Sequence, residues 1–403
     1  MSEKTPLSFV TLMAVLMSFV ALSIDIMLPA LSQMGIDLGV EQANDAQLIL
    51  SMVFLGMAPG MIIFGPISDT FGRKRAIHFG LVIFLAGALI SYFSESMNVM
   101  LFGRFLQGLG GASCRVVTIA MIRDLFSGVE MAKIMSIIML FFILVPAFAP
   151  LIGQAILFYF KWRFIFLVLA GLTLTGFLWL SLGQEETLKE DKRLPLNFST
   201  VLAGIRETLS HQASRNYTLA AGMAFGAFLG YITTVQQILQ VQYDLGDYFS
   251  IAFGLFALCI GSASYFNSRL VDRFGMQSIC LYALKFIILW AFVFLPIVYF
   301  TQGHPHFALY VCYLAPTLFC VGILFGNFNA LAMEPLGHIA GVANSVISSL
   351  STFLSFILAT FIGQNYTNTV TPLVLGFFSL GLLSYILVKR VRPVEKEKSE
   401  LFS

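Results

Sequence analysis

Long apolar stretches separated by shorter polar segments fill the chain from residue 7 to residue 389. Twelve of them reach the roughly 20 residues that an α-helix needs to cross the hydrocarbon core of a bilayer. The pattern predicts an all-α membrane protein with twelve transmembrane helices, which begins with a span rather than a cleaved signal peptide. The predicted spans cover residues 7–30, 47–67, 76–94, 98–122, 134–157, 163–182, 217–240, 249–271, 277–300, 307–332, 339–361 and 371–389.

The longest polar interruption, residues 183–216, divides these spans six and six. Its charges are of mixed sign, so we interpret it as a solvated linker in which nothing converges on a site. The predicted organisation is an N-terminal six-helix bundle over 1–182, a cytoplasmic linker over 183–216, a C-terminal six-helix bundle over 217–390 and a cytoplasmic tail over 391–403.

The distribution of basic residues predicts the orientation. Of the 23 Lys and Arg residues, eighteen fall on the side of the spans that also carries the termini. Two fall in the opposite loops, Lys161 and Arg163, and three lie within spans. Because basic residues concentrate on the cytoplasmic side, we expect both termini in the cytoplasm.

The two halves of the chain share a short motif. Asp69-Thr-Phe-Gly72-Arg73 follows the second span, and Asp272-Arg-Phe-Gly-Met follows the eighth, at the equivalent place in the other half. A duplicated six-span unit leaves such a pair, so the pattern favours two pseudo-repeats.

Composition excludes several other classes of protein. Hydrophobic residues make up 58% of the chain and charged residues 11%, whereas soluble proteins carry about 25% charged residues. A soluble enzyme, a disulfide scaffold and a disordered chain are therefore excluded. The net charge of +2 implies no nucleic-acid partner, and the five cysteines lack metal-ligand spacing, so no metal or cofactor is expected.

Several motifs resemble those of one transporter family. The run from Gly65 to Arg75, GPISDTFGRKR, resembles the loop signature of the major facilitator superfamily. Its glycines permit a tight turn, and its basic residues suit a cytoplasmic interface. The alternative is a plain positive loop. The residues of this run that we expect to act in conformational gating are Gly65, Asp69, Gly72, Arg73 and Arg75.

Further motifs narrow the resemblance to Bcr/CflA-type drug exporters. They are DIMLPAL from Asp25, RFLQG from Arg104, MIRDLF around Arg123, APLIG ending at Gly153, WRFIF from Trp162, FNSR from Phe266 and AGVANS from Ala340. The resemblance covers nearly the whole chain. It implies a monomeric transporter of the inner membrane that moves a small-molecule substrate across the lipid bilayer by alternating access. The expected mode is export coupled to proton entry, without a cofactor.

The fifth span carries Pro146, Pro150 and Gly153 in a pattern that resembles the antiporter motif of this family. Proline removes backbone hydrogen bonds and glycine permits close packing, so we expect a helix that bends between conformational states. An ordinary kinked helix is the alternative.

Away from the ends of the predicted spans, only four charged residues occur: Asp25, Arg104, Arg115 and Lys285. Such residues are costly in a membrane and usually functional. Asp25 and Arg104 are expected at matching depth, with Asp25 carrying the coupling proton and Arg104 controlling its release. A static structural pair is the alternative. Lys285 is expected to be peripheral.

Arg115 lies eleven residues after Arg104, which returns it to the same helix face as Arg104 and Gln107. It is unusual, because the resemblance implies a basic residue one turn later, near Ile119. Snorkelling to the interface is the alternative. The predicted substrate-binding residues are Arg115, Gln107, Gln236, Gln240, Asn327 and Asn344.

A second transporter hypothesis rests on these embedded charges. Three are positive and one is negative, which suits a polar anionic substrate such as a carboxylate siderophore, moved in either direction. A membrane-embedded enzyme is disfavoured because His and acidic residues do not cluster. A passive channel is disfavoured because no filter-like segment is visible.

Overall fold

The computed structural model of the chain describes residues 7–195 and 198–391, and the regular structure of these residues is entirely helical. Eleven helical runs are long and apolar enough to cross a membrane, and one of them, the 58-residue run Phe307–Gln364, contains two helices. Twelve long helices therefore match the twelve predicted spans, which confirms the predicted fold class; the side on which the termini lie stays a prediction. The α-helices are α1 (Leu7–Asp25), α2 (Leu31–Asp37), α3 (Leu48–Phe71), α4 (Arg73–Tyr92), α5 (Met97–Leu125), α6 (Gly128–Tyr159), α7 (Arg163–Gly183), α8 (Phe198–Ser210), α9 (Gln212–Gln236), α10 (Phe249–Phe274), α11 (Met276–Phe300), α12 (Phe307–Met333), α13 (Ala340–Gln364) and α14 (Thr371–Lys389).

The first span is broken near its end. Helix α1 stops at Asp25, and the chain continues through a 3₁₀ turn, Leu28–Ala30, into the short helix α2. Pro29 explains the break, because a proline ring clashes with the carbonyl four residues earlier, which here belongs to Asp25. The break leaves the last carbonyl groups of α1 without helical donors.

The chain divides into two compact units. The first comprises Met1–Val201 and Leu245–Leu258, and the second comprises Leu202–Asp244 and Cys259–Ser403. The start of the polar segment after α7 thus groups with the first unit. The domain bounds derived from the sequence remain predictions, and the predicted tail lies outside the described residues beyond residue 391.

Glycines bring the helices of the first unit into close contact. Helix α5 packs against both α3 and α4, and α1 packs against α6. A Cβ atom on Gly108 of α5 would overlap the carbonyl oxygen of Val53 on α3, so the two backbones touch where only glycine fits. This packing fixes the position of the polar residues of α5 between its neighbours.

In the second unit, α9 is the central helix and packs against α12, α13 and α14. Its end widens into a π-helical turn, Gln237–Gln242. Such turns are rare in proteins, and many of those that occur lie at functional sites. The Gln242 amide donates to the carbonyl of Gly303 at 3.1 Å, which ties this turn to the loop between α11 and α12.

Candidate functional site

Arg104 is fully buried in the first unit and joins three helices. Its Nη2 atom donates to the carbonyl of Ser23 at 3.0 Å, and its Nε atom donates to the carbonyl of Ile49 at 2.9 Å. Its Nη1 atom donates to Oε1 of Gln107 at 2.6 Å. Ser23 lies in the last turn of α1, where a carbonyl lacks a helical donor and a cation is favourably placed. Arg104 therefore caps α1 at its break.

Asp25 is the last residue of α1 and is 4% exposed. Arg104 contacts the backbone two residues before it, but no ion pair joins the two side chains among the described residues. The physical reason is that three guanidinium nitrogens of Arg104 are occupied by Ser23, Ile49 and Gln107. The proposed proton-coupling roles of both residues stay predictions.

Helix α6 touches the same break from another side. A Cβ atom on Gly153 would overlap the carbonyl oxygen of Ile26, the residue after Asp25. Both Pro146 and Pro150 lie inside α6, which runs without interruption from Gly128 to Tyr159. The acid is thus held in a break that α5 contacts through Arg104 and α6 contacts through a glycine.

The other two candidate residues of α5 differ in their surroundings. Gln107 is fully buried, and its Nε2 atom has no hydrogen-bond partner in the described part of the chain. Arg115 is half-buried, and within residues 7–195 and 198–391 it makes no side-chain hydrogen bond or ion pair. Gln107 orients Arg104, whereas Arg115 keeps its donors available.

In the second unit, the predicted binding residues pair through neutral amides. Gln236, the last residue of α9, donates to Oε1 of Gln240 in the π-helical turn at 2.8 Å. Asn327 donates to Oδ1 of Asn267 at 2.7 Å, joining α12 to α10, and Asn344 accepts from Asn329 at 3.2 Å. Each of these amides therefore has a neutral amide partner within the second unit. Lys285 is exposed, 5.8 Å from the ring centre of Tyr385.

The loop between α3 and α4 is organised around Arg73, a buried side chain. Its guanidinium pairs with Asp69, and its Nε atom lies 2.9 Å from Oδ2 of Asp124 at the end of α5. It also donates to Oγ of Ser68 at 2.8 Å, and that hydroxyl donates to the carbonyl of Gly65. The structure brings Gly65, Asp69, Gly72 and Arg73 together, four of the five gating residues predicted in this loop, while Arg75 is exposed. The other three predicted gating residues lie apart from them, in α6.

The interpretation that nothing in residues 183–216 converges on a site is wrong. Glu186 accepts from the backbone N–H of Arg73 at 2.8 Å and from that of Lys74 at 3.1 Å. Sequence reasoning missed Glu186 because its partners are backbone amides, which have no residue-type signature. The same segment contains helix α8, which the hydropathy pattern did not indicate, since α8 is too short and polar to be a span.

No group of three or more His, Cys, Asp and Glu side chains that could hold a metal ion occurs in the described residues. The charged side chains buried there are Asp25, Arg73 and Arg104. The chemistry that this arrangement offers is therefore proton exchange and ion pairing.

The sequence matches the Major Facilitator Superfamily over residues 13–360. It is 29% identical over 371 residues to the uncharacterized MFS-type transporter YdgK of Bacillus subtilis, covering 91% of each chain. It is 28% identical to the bicyclomycin resistance protein homolog of Haemophilus influenzae, covering 96% of each chain. It is 27% identical to the multidrug resistance protein MdtL of Shewanella oneidensis, covering 93% of each.

The fold is also found in solved structures. The xylose transporter XylE from E. coli, in a partially occluded inward-open conformation, superimposes with a TM-score of 0.73 at 12% identity. The match covers 96% of this chain and 97% of that one. The family and fold expected from the motifs are confirmed, and the names of the relatives agree with the Bcr/CflA-type resemblance.

Proposed function

Because the chain belongs to the Major Facilitator Superfamily and is therefore a multi-pass membrane transporter rather than an enzyme, we propose that it exports drugs in exchange for protons. The names of two relatives, a bicyclomycin resistance protein homolog and a multidrug resistance protein, support a drug-like substrate. Export proceeds by alternating access in the inner membrane, and the transporter acts as a monomer.

The observation that carries the proton-coupling proposal is the position of Asp25. A coupled transporter needs a group that binds a proton and later releases it, and Asp25 is the only acid within the predicted spans. It lies at a helix break, where backbone geometry is free to change, and Arg104 contacts the same turn at Ser23. A change in that contact alters the field at the carboxylate and so its affinity for a proton.

The test is Asp25→Asn in proteoliposomes with an imposed pH gradient. Three probes cover the chemical classes: bicyclomycin as a neutral molecule, ethidium as a permanent cation and citrate as a carboxylate. We expect the variant to lose at least about tenfold in gradient-driven transport, because Asn cannot release a proton. Probe binding should persist, since the side chains are nearly the same size.

The matched control is Asp191→Asn, which removes an acid from the exposed linker and should leave transport unchanged. Gradient-driven accumulation by Asp25→Asn at the wild-type rate would contradict the coupling role.

A second candidate function is the transport of an anionic or zwitterionic substrate. The observation in its favour is Arg115, which is half-buried and has no side-chain partner in the described residues. An unpaired cation in a membrane protein is costly, and a carboxylate substrate would pair with it through two charge-assisted hydrogen bonds. The planar guanidinium suits that geometry better than an ammonium group does.

Binding measurements on Arg115 variants test this candidate. Arg115→Ala should weaken citrate binding by about tenfold to a hundredfold, the range of a charge-assisted hydrogen bond, and should leave bicyclomycin binding unchanged. Arg115→Lys should restore only part of the loss. Preferred transport of ethidium, with no effect of Arg115→Ala on any probe, would leave drug export as the function.

A further inference from the structure

The start of the linker is attached to the first unit. We call residues 184–194 the linker clasp. It follows α7 and lies against the adjacent ends of α3, α4 and α5, to which three of its residues bond directly: Glu186, Thr187 and Leu194.

Glu186 makes the central attachment. Helix α4 begins at Arg73, and the first N–H groups of a helix lack acceptors within the helix. The two carboxylate oxygens of Glu186 accept from the first two of these groups, Oε1 from Arg73 and Oε2 from Lys74, at 2.8 and 3.1 Å. Oε1 also accepts from the N–H of Leu188 at 3.1 Å, which fixes the clasp's own backbone. A negative charge is favoured at this helix end.

Gly72 makes room for the carboxylate. Its φ angle is +100°, which side-chain-bearing residues rarely adopt, and a Cβ atom there would overlap Oε2 of Glu186. The glycine therefore serves both the turn and the approach of Glu186.

Two further bonds hold the clasp to residues that contact the Arg73 side chain. Thr187 donates to Oδ2 of Asp124 at 3.2 Å, the same oxygen that Arg73 Nε contacts. The N–H of Leu194 donates to the carbonyl of Asp69 at 3.0 Å. The clasp thus contacts the backbone of Arg73 and both of its acidic partners.

We propose that Glu186 is a positioning residue that holds the start of α4, so that Arg73 stays aligned with Asp69 and Asp124 during transport. In the described residues its carboxylate accepts from Arg73, Lys74 and Leu188, and it has no hydrogen bond with Asp25. Its effect on transport rests on the proposed function, whereas its effect on the clasp does not.

The neighbouring acid provides a matched control. Glu185 has the same charge and lies one residue earlier, but its side chain is exposed and makes no hydrogen bond in the described residues. If the linker were merely a solvated segment of mixed charge, removing either acidic charge would have the same effect.

The first measurement is backbone hydrogen exchange on the full-length protein in lipid nanodiscs. In Glu186→Gln, one carboxylate oxygen is replaced by an NH₂ group, which cannot accept a hydrogen bond from a backbone N–H. The amides of Arg73 and Lys74 and those of the clasp should exchange about tenfold faster, the factor expected for a lost charge-assisted hydrogen bond. Glu185→Gln should match the wild type. Unchanged exchange in Glu186→Gln would overturn the proposal.

The second measurement separates turnover from binding for the three probes above. Glu186→Gln should lower maximal turnover several-fold and leave the dissociation constant of a transported probe unchanged. Thr187→Val, which removes only the bond to Asp124, should lower turnover less. Faster exchange without a turnover defect would overturn the positioning role. Faster exchange in a protein that transports none of the probes would instead count against the proposed function alone.

Discussion

Two charged side chains of the first unit are stabilised by main-chain groups rather than by opposite charges. Arg104 donates to two carbonyls and one amide, and Glu186 accepts from three N–H groups. Main-chain dipoles carry no net charge, so a cation held by them keeps its net positive charge. Asp25 lies two residues beyond the Ser23 carbonyl that Arg104 contacts.

A methyl group added to Gly153 tests whether transport requires the close contact between α6 and the break in α1. Gly153→Ala places a Cβ atom on the Ile26 carbonyl, so α6 or the break in α1 must shift. We expect a loss of about 1–3 kcal/mol in the free energy of unfolding, typical of overpacking, together with reduced gradient-driven transport. Thermal unfolding and proteoliposome transport measure the two effects.

The control is Gly171→Ala in α7, where nothing in the described residues lies within 4 Å of the added atom. This variant should be as stable as the wild type or slightly more stable. Equal behaviour of the two variants would show that close contact between α6 and the break is not required.

At the level of elements, the two repeated loops have the same turn but different neighbours. Gly72 and Gly275 are equivalent, and both have positive φ angles, +100° and +75°. An added Cβ at Gly72 would overlap Glu186, whereas nothing in the described residues lies within 4 Å of one at Gly275. Met276 replaces Arg73 in the second loop. The duplicated turn was kept in both halves, and the acidic contact exists in one.

Alanine substitutions at Gly72 and Gly275 distinguish the effect of the glycine turn from the effect of the Glu186 contact. Each substitution should cost about 1–3 kcal/mol of folding free energy, because both glycines combine a positive φ with a ψ near 150°, a conformation nearly restricted to glycine. Gly72→Ala should in addition displace Glu186 and raise amide exchange across residues 184–194, as measured by mass spectrometry. Identical exchange in Gly72→Ala and Gly275→Ala would contradict the role assigned to the contact.

At the scale of the whole molecule, the two units use different polar chemistry. The buried charges of the described residues all lie in the first unit, whereas the second unit contains neutral amide pairs such as Asn267 with Asn327, besides an exposed contact of Glu207 with His338. Neutral amide pairs exchange partners at little electrostatic cost. This division fits the proposal that proton coupling rests on residues of the first unit.

Hydropathy predicted the twelve long helices because a helix that crosses the bilayer needs about 20 consecutive apolar residues, and such a run is visible in the sequence. Asp25 and Arg104 were recognisable for the same reason, since a charge in an apolar run stands out. Their lack of direct pairing was not predictable, because it depends on the backbone carbonyls of Ser23 and Ile49. Glu186 was hidden among several similar charges, and only tertiary structure distinguishes it from Glu185.

The clasp also determines where this chain can be divided. A split or chimeric transporter joined directly after α7, at residue 183, would give the N-terminal half a first unit without Glu186, Thr187 and Leu194. The exposed N–H groups at the start of α4 would then depend on a foreign linker or on water. A junction between residues 195 and 198 keeps these bonds within one fragment, and the second fragment then begins with α8. When halves are exchanged between relatives, the N-terminal half should therefore include the linker clasp, residues 184–194.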